Sequence, residues 1–166
     1  MRTIDLTVRD VYRAGDVDRW QIVRTARRQS IAEHSYNVAM IVRVLCKRLG
    51  CPPDEAVAYA LVHDLPEVVT GDIATPLKRV IGEGLLQGVE GHITVGGDPI
   101  DADNQVKWIV KQADLIEAAK FLEENACDEY GRQVLNQIKA RLTDPVASKL
   151  LVDLLYGPWS TLDDML

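Results

Sequence analysis

The chain has 166 residues, a formal net charge of −6 and 47% hydrophobic residues, a composition typical of one globular domain. The excess of acidic residues argues against a general nucleic-acid-binding surface, because such surfaces are basic. No apolar run reaches the roughly 18 residues of a membrane span, and the charged N-terminal stretch does not resemble a signal peptide. We therefore expect a cytoplasmic protein with three reduced cysteines and with neither a membrane nor polymeric nucleic acid as partner.

The hydrophobic pattern predicts helices along most of the chain. Apolar residues recur every three to four positions over 31–49. Ser30 and Glu33 form a capping-box pattern before this stretch, and Gly50 follows it. Further helices are predicted over 54–64, from Pro66, and over 103–125, 130–142 and 145–155. Because no convincing alternating β pattern occurs, the sequence predicts an all-α bundle that forms a single domain over 1–166.

The segment 82–101 is rich in glycine. It holds six of the 11 glycines in the chain, and we expect it to be a mobile loop. It contains neither GxxxxGK[ST] nor GxGxxG, so the pattern does not favour a phosphate-binding loop.

Two histidines and two carboxylates form a pattern that suits a metal ion. His34 shares a helical face with apolar residues, His63 and Asp64 end the next helix, and Asp114 lies at the edge of the apolar stripe of the long helix. A single inward histidine is more often a satisfied core residue, and Asp114 alone would pair with Lys111 one turn back. The metal hypothesis therefore depends on all four residues together.

The chemistry of the four side chains explains why a cation is expected. A carboxylate on a buried helix face is costly unless it is paired or bound to metal. Two imidazole nitrogens and two carboxylate oxygens suit one divalent ion such as Co, Mn, Zn, Fe or Mg. An octahedral ion would keep two positions for water and substrate.

Four short stretches carry a family resemblance: RW at 19–20, SIAEHS at 30–35, HDLPEVVTGDIATPLK at 63–78 and VKQAD at 110–114. Together they resemble the HD-domain phosphohydrolases, and within them the YfbR-type 5′-deoxynucleotidases and the phage DatZ-type dATP triphosphohydrolases. The resemblance covers about the first 80 residues and the helix of Asp114. It implies an HD-domain helical bundle, a homo-oligomer (a dimer or larger), and the host cytoplasm if the protein is phage-encoded.

The resemblance also implies roles for individual residues. Glu67 matches the carboxylate that activates or orients the attacking water, and Asp72 matches an acidic residue near the sugar and the leaving oxygen. The implied metal ligands are His34, His63, Asp64 and Asp114. The implied phosphate-binding residues are Arg19, Lys78 and Lys111.

Trp20 and Ile22 are the candidate base-binding residues. The indole of Trp20 offers a flat face on which a base or sugar could stack, although an ordinary core tryptophan is the alternative. Ile22 could line the same pocket and exclude a purine 2-amino group.

The expected function is metal-dependent hydrolysis of the 5′ phosphoester of a deoxyribonucleotide. The short chain, with its shortened glycine-rich middle, looks more like the phage triphosphohydrolases, and several cations near the site would suit a longer phosphate tail. This resemblance implies a purine dNTP, dATP above all, as the substrate, which would give a deoxynucleoside and triphosphate. One alternative is a 5′-deoxynucleotidase acting on dNMPs, and a more remote one is a non-catalytic helical module with a structural metal. A two-metal centre is disfavoured because only His92 remains as a further histidine, although Glu67 or Asp72 could bridge a second ion.

Overall fold

Two long helices, α2 (Ile31–Leu49) and α7 (Asn104–Asn125), form the centre of the fold. The structure is a computed structural model that describes residues 3–157. Helix α3 (Asp54–Val62) packs against both long helices, and α8 (Glu129–Arg141) and α9 (Pro145–Tyr156) pack on α7. The predicted helices are therefore confirmed, with bounds that agree within two residues.

Local capping fixes where α2 begins and ends. The Ser30 side chain accepts a hydrogen bond from the backbone N–H of Glu33, and Gly50 adopts a left-handed conformation with φ of 69°. A residue with a side chain would be strained at that φ, so glycine ends the helix at low cost. The first turn of α2 carries His34, whose position is thus set by the cap.

The hydrophobic core has two parts. The larger part joins α2, α3, α7, α8 and α9, and its centre contains side chains with no exposed surface, among them Val42, Leu45 and Ile116. The smaller part lies near the N-terminus and includes Ile31 and Leu65. Because Ile31 and Leu65 each lie close in sequence to a predicted metal ligand, this second cluster helps to fix the site.

A small sheet departs from the all-α expectation. Strand β1 (Ile4–Leu6) pairs in parallel with β2 (Ile93–Val95), and β2 pairs antiparallel with β3 (Asp98–Pro99). Strands of two or three residues are too short to show an alternating pattern, so the sequence gives no period-2 signal for them. The fold remains mostly helical, and α1 (Val8–Tyr12) with a 3₁₀ turn (Arg13–Gly15) follows β1.

The glycine-rich segment is more ordered than expected. Its first half forms α6 (Glu83–Glu90), and its second half supplies β2 and β3. Gly82, Gly96 and Gly97 have positive φ. Gly82 separates α6 from α5 (Thr75–Ile81), and the other two glycines form the turn between β2 and β3. The prediction of a loop over 82–101 was therefore wrong, because these glycines lie between regular elements.

The connection 16–30 carries several candidate residues without being a helix or a strand. A bridge between Asp18 and Ser30, the N-cap of α2, brings the two ends of the connection together, and a bridge between Thr25 and Ala126 joins it to the end of α7. These attachments hold the connection across the ends of the two central helices. Within residues 3–157, no helix is long and apolar enough to cross a membrane.

Candidate active site

His34, His63 and Asp64 converge where α2 and α3 meet. His34 lies in the first turn of α2 and is fully buried, while His63 caps the C-terminus of α3 and Asp64 follows it. One ligand atom from each of these three residues lies within 4.8 Å of the others. The two imidazole rings are 5.7 Å apart between centroids. Because metal ligands must converge on one point, this spacing suits a shared ion.

Asp114 joins the group from α7. Its Oδ1 lies 3.3 Å from Nε2 of His34, and Oδ2 of Asp64 lies 3.4 Å from the same nitrogen. The other oxygen of Asp114, Oδ2, accepts a hydrogen bond of 2.6 Å from Nζ of Lys111. The pairing with Lys111 and the approach to His34 therefore coexist, one through each carboxylate oxygen.

The donor set fits a divalent cation. Nε2 of His34 and Nε2 of His63 are both buried. Carboxylate oxygens of Asp64 and Asp114 lie 3.3–3.4 Å from them, but within residues 3–157 neither nitrogen makes a well-aligned hydrogen bond. Nδ1 of His63 donates to the backbone carbonyl of Ala60 at 2.7 Å, which leaves the lone pair on Nε2. Buried polar atoms rarely lack a partner. Two such nitrogens beside two carboxylates are what a metal ion would satisfy.

The charges of the predicted metal ligands favour a cation between them. Burial and Arg19 lower the pKa of His34, but the interactions with the nearby carboxylates of Asp114 and Glu117 outweigh them and raise it to about 9. Burial would raise the pKa values of Asp64 and Asp114, yet cationic neighbours hold both below their usual range. The carboxylates thus stay charged and favour a cation at their centre.

Glu67, Asp72 and Lys78 form a second group beside the first. Glu67 opens α4 (Glu67–Thr70) and is buried, and Nζ of Lys78 lies 3.4 Å from its Oε1. Burial and the charges of Asp64 and Asp72 raise the pKa of Glu67 to about 8, against the opposing effect of Lys78 and Arg19. The pKa of Lys78 is raised, because the charges of Glu67, Asp72 and Asp64 outweigh the effect of its burial. A carboxyl with this pKa is suited to proton transfer near neutral pH.

Arg19 contacts both central helices. Its guanidinium lies 3.8 Å from Oδ1 of Asp114 and 3.4 Å from Oε2 of Glu117, and it also contacts Nδ1 of His34. Burial lowers the pKa of Arg19, but the charges of Asp114, Asp64 and other carboxylates outweigh burial and raise it. Arg19, a candidate phosphate-binding residue, is therefore already paired with carboxylates.

Trp20 is fixed in a strained conformation. Its backbone has a φ of 65°, which is uncommon for a residue with a bulky side chain. Its backbone N–H donates to Oδ2 of Asp72 at 3.1 Å, and its indole N–H donates to Oε1 of Gln29 at 2.8 Å. The indole stacks in parallel on Phe121 at 5.8 Å. Ile22 lies two residues further along this connection and is 51% exposed.

Sequence reasoning missed Glu117. Its side chain is only 4% exposed, and its Oε2 lies 2.7 Å from Nδ1 of His34. Its Oε1 accepts hydrogen bonds from Gln29 at 2.6 Å and from Asn37 at 3.2 Å. The available signal was its spacing, since a residue three positions after Asp114 shares its helical face.

Comparisons with known proteins place this chain in a family. Residues 9–84 match the model described as 5′-deoxynucleotidase YfbR-like. A dATP triphosphohydrolase of Salmonella phage PMBT28 is 36% identical over 159 residues, with 82% of this chain and 76% of the relative covered. The chain belongs to the YfbR-like HD phosphohydrolases. It is therefore a metal-dependent nucleotide phosphohydrolase, and the remote alternative of a non-catalytic helical module is not supported.

Two further relatives show both activities of this family. A dATP triphosphohydrolase of Cyanophage S-2L is 35% identical, with 81% of this chain and 82% of the relative covered. The 5′-deoxynucleotidase yfbR of Photorhabdus temperata is 31% identical, with 80% and 79% covered. The structure of the Cyanophage S-2L HD phosphohydrolase DatZ, bound to dA and one catalytic Zn2+ ion, has a TM-score of 0.76 and 30% identity. It covers 92% of this chain and 95% of that chain, which confirms the HD-domain fold.

We predict that His63→Ala abolishes the stabilisation of the protein by Zn²⁺ or Co²⁺. A ligand present at one hundred times its Kd stabilises the folded state by about 2.7 kcal/mol, so the wild-type Tm should fall after chelation and recover when metal is returned. His92→Ala is the matched control, because His92 lies outside the converging group. An equal response of His63→Ala and wild type to the metal would contradict the assignment.

Proposed function

We propose that this enzyme hydrolyses dATP, and more generally dNTPs, at the 5′ phosphoester to give a deoxynucleoside and triphosphate. The observation that carries the proposal is the pair of buried nitrogens without a well-aligned hydrogen bond, Nε2 of His34 and of His63, beside Asp64. Glu67, a buried residue whose pKa the charge of Asp64 raises, would supply the carboxyl group for the attacking water.

One divalent ion would be held by His34, His63, Asp64 and Asp114. When bound, the ion supplies Lewis-acid activation of a water molecule and of the phosphoryl group. The four side chains come from α2, from the end of α3 and from α7, so the fold of three helices sets the geometry of the ligands.

Glu67 and Asp72 are the candidate proton acceptor and proton donor of the reaction. Glu67 orients or deprotonates the attacking water, and the water oxygen forms a bond to the phosphorus attached to O5′. The bond between that phosphorus and O5′ breaks. Asp72 holds the sugar or protonates the departing O5′.

Arg19, Lys78 and Lys111 would stabilise the negative phosphate oxygens. Each of them contacts a carboxylate in the structure, so a phosphate group would share or replace that partner. Trp20 would stack on the base or sugar, a contact worth about 1–3 kcal/mol.

The alternative substrate is a dNMP, which would give a deoxynucleoside and phosphate. The matching family model, described as YfbR-like 5′-deoxynucleotidase, favours this alternative. Two phage dATP triphosphohydrolases favour the triphosphate, because they are 36% and 35% identical whereas the 5′-deoxynucleotidase is 31% identical. Both reactions break the same bond, so the site residues keep their roles in each.

We expect that purified protein with Mn²⁺ or Co²⁺ releases triphosphate from dATP faster than it releases phosphate from dAMP. The test uses a panel of dNMPs, dNTPs and rNTPs, with phosphate and triphosphate measured separately. Glu67→Gln should bind metal but lose about 10²–10⁴-fold in turnover, whereas Glu129→Gln at the exposed start of α8 should not. Phosphate release from dNMPs alone would favour the alternative substrate.

We expect that Ile22→Ala weakens the preference for adenine over guanine nucleotides. The smaller side chain would leave room for the purine 2-amino group, which a β-branched residue at this place excludes. The measurement is the ratio of kcat/KM for dATP to that for dGTP, and Ile4→Ala in β1 serves as a distant control. An unchanged ratio in Ile22→Ala would remove Ile22 from the base pocket.

We also propose that the enzyme acts in the cytoplasm, where free deoxynucleotides are found, and that it assembles as a homo-oligomer, a dimer or larger. Apolar side chains exposed on helices support the oligomer, among them Tyr36, Leu77 and Val80. Light scattering should give a mass at least twice the 18.5 kDa of one chain. A monomer at micromolar concentration would contradict the expectation.

A further inference from the structure

A buried chain of hydrogen bonds connects a metal ligand to the aromatic side chain of the base site. It runs from Nδ1 of His34 to Glu117 at 2.7 Å, from Glu117 to Nε2 of Gln29 at 2.6 Å, and from Oε1 of Gln29 to the indole N–H of Trp20 at 2.8 Å. The first three residues are each at most 4% exposed. The chain crosses from α2 to α7 and then to the connection 16–30.

Glu117 lies among hydrogen-bond donors only. Its Oε2 faces Nδ1 of His34 and the guanidinium of Arg19, and its Oε1 faces the amide nitrogens of Gln29 and Asn37. A carboxylate has two acceptor oxygens and can serve all four partners. A glutamine amide has one acceptor oxygen, so it would leave part of this buried donor set unsatisfied, whichever way it faced.

The proton between Glu117 and His34 fixes the state of the imidazole. A carboxylate cannot donate, so the proton of this hydrogen bond belongs to Nδ1 of His34. The nitrogen left to bind a metal is then Nε2, which points to Asp64 and Asp114, where the metal would lie. When a metal-ligating histidine donates its other ring N–H to a carboxylate, that hydrogen bond commonly fixes the tautomer and the orientation of the ring.

Gln29 transmits the same constraint to Trp20. Its amide can face only one way, because Nε2 must donate to Glu117 and Oε1 must accept from the indole. The backbone carbonyl of Gln29 also accepts from the N–H of Arg19 at 2.8 Å. Gln29 therefore holds the Trp20 indole through its side chain and Arg19 through its backbone.

We infer that Glu117 is a positioning residue that sets the metal-binding state of His34 and, through Gln29, the place of the Trp20 indole. The inference rests on the proposed function only in that a metal and a nucleotide base would occupy these two places. It assigns no contact with substrate to Glu117. Metal affinity and the local environment of Trp20 should therefore change together when Glu117 loses an acceptor oxygen.

The test measures both ends of the chain without nucleotide. Co²⁺ or Zn²⁺ affinity is determined by titration, and the Trp20 indole N–H is followed by NMR, where the three tryptophans give three signals and Trp20→Phe identifies one. In Glu117→Gln, affinity should fall about 10–100-fold, and the Trp20 signal should shift and exchange faster with solvent. Glu123→Gln is the matched control on the same helix, because Glu123 pairs with Lys139 on the surface.

A second variant keeps the inference testable if Glu117→Gln does not fold. Gln29→Met removes both amide contacts but leaves the carboxylate under His34, so the Trp20 signal should change while metal affinity falls far less. A folded Glu117→Gln with wild-type affinity, or an unmoved Trp20 signal in either variant, overturns the inference. Failure of the wild type to hydrolyse any nucleotide would overturn the proposed function instead, since neither readout here involves turnover.

Discussion

The burial of His34 among carboxylates is the interaction on which the rest of the site depends. One ring nitrogen faces Glu117, and the other faces Asp64 and Asp114 at 3.4 and 3.3 Å. Moving a carboxylate out of water costs several kcal/mol unless it is paired. Arg19 and the imidazole offset part of that cost, and a divalent ion would complete the compensation. The same arrangement ties α2, the end of α3 and α7 together, so the core and the site stabilise one another.

The site also explains why irregular segments of the fold are held so firmly. The connection 16–30 has no regular secondary structure, yet its ends are bridged through Asp18 and Ser30, and Thr25 within it is bridged to Ala126. Trp20 keeps a φ of 65° within it, held by hydrogen bonds to Asp72 and Gln29. Strain of this kind persists only where the surroundings over-determine the conformation, and it tends to cluster at functional sites. Two segments far apart in sequence, the connection and the turn that carries Asp72, are thereby joined at the candidate base site.

How far the sequence predicts this molecule depends on the range of each interaction. Helices and caps are local signals, and their positions agree with the structure. The set of His34, His63, Asp64 and Asp114 is not local, and it was predicted from the chemistry of the residues and from the family resemblance; the structure brings these side chains together. Glu117 escaped notice because its partners His34 and Gln29 lie 83 and 88 residues away in sequence, and no local pattern marks a buried carboxylate as satisfied. The strands were missed for a related reason, since β1 and β2 are three residues each and pair across most of the chain. The glycines of 82–101 suggested a loop because composition does not distinguish turn glycines from glycines within a helix.

The preference for a mono- or a triphosphate depends on which cationic side chains can exchange a carboxylate partner for a phosphate oxygen. Arg19 is buried against Asp114 and Glu117, so it offers few free donors to a phosphate. Lys111 is different, because its side chain is half exposed and it can turn from Asp114 towards an anion in solvent. A triphosphate tail extends away from the scissile phosphoryl group and would need cations of this exposed kind, whereas a monophosphate ends at the metal. Since the whole chain carries a net charge of −6, long-range attraction does not favour the more highly charged substrate. Selectivity for a triphosphate must therefore come from short-range contacts with lysines that can leave their carboxylates.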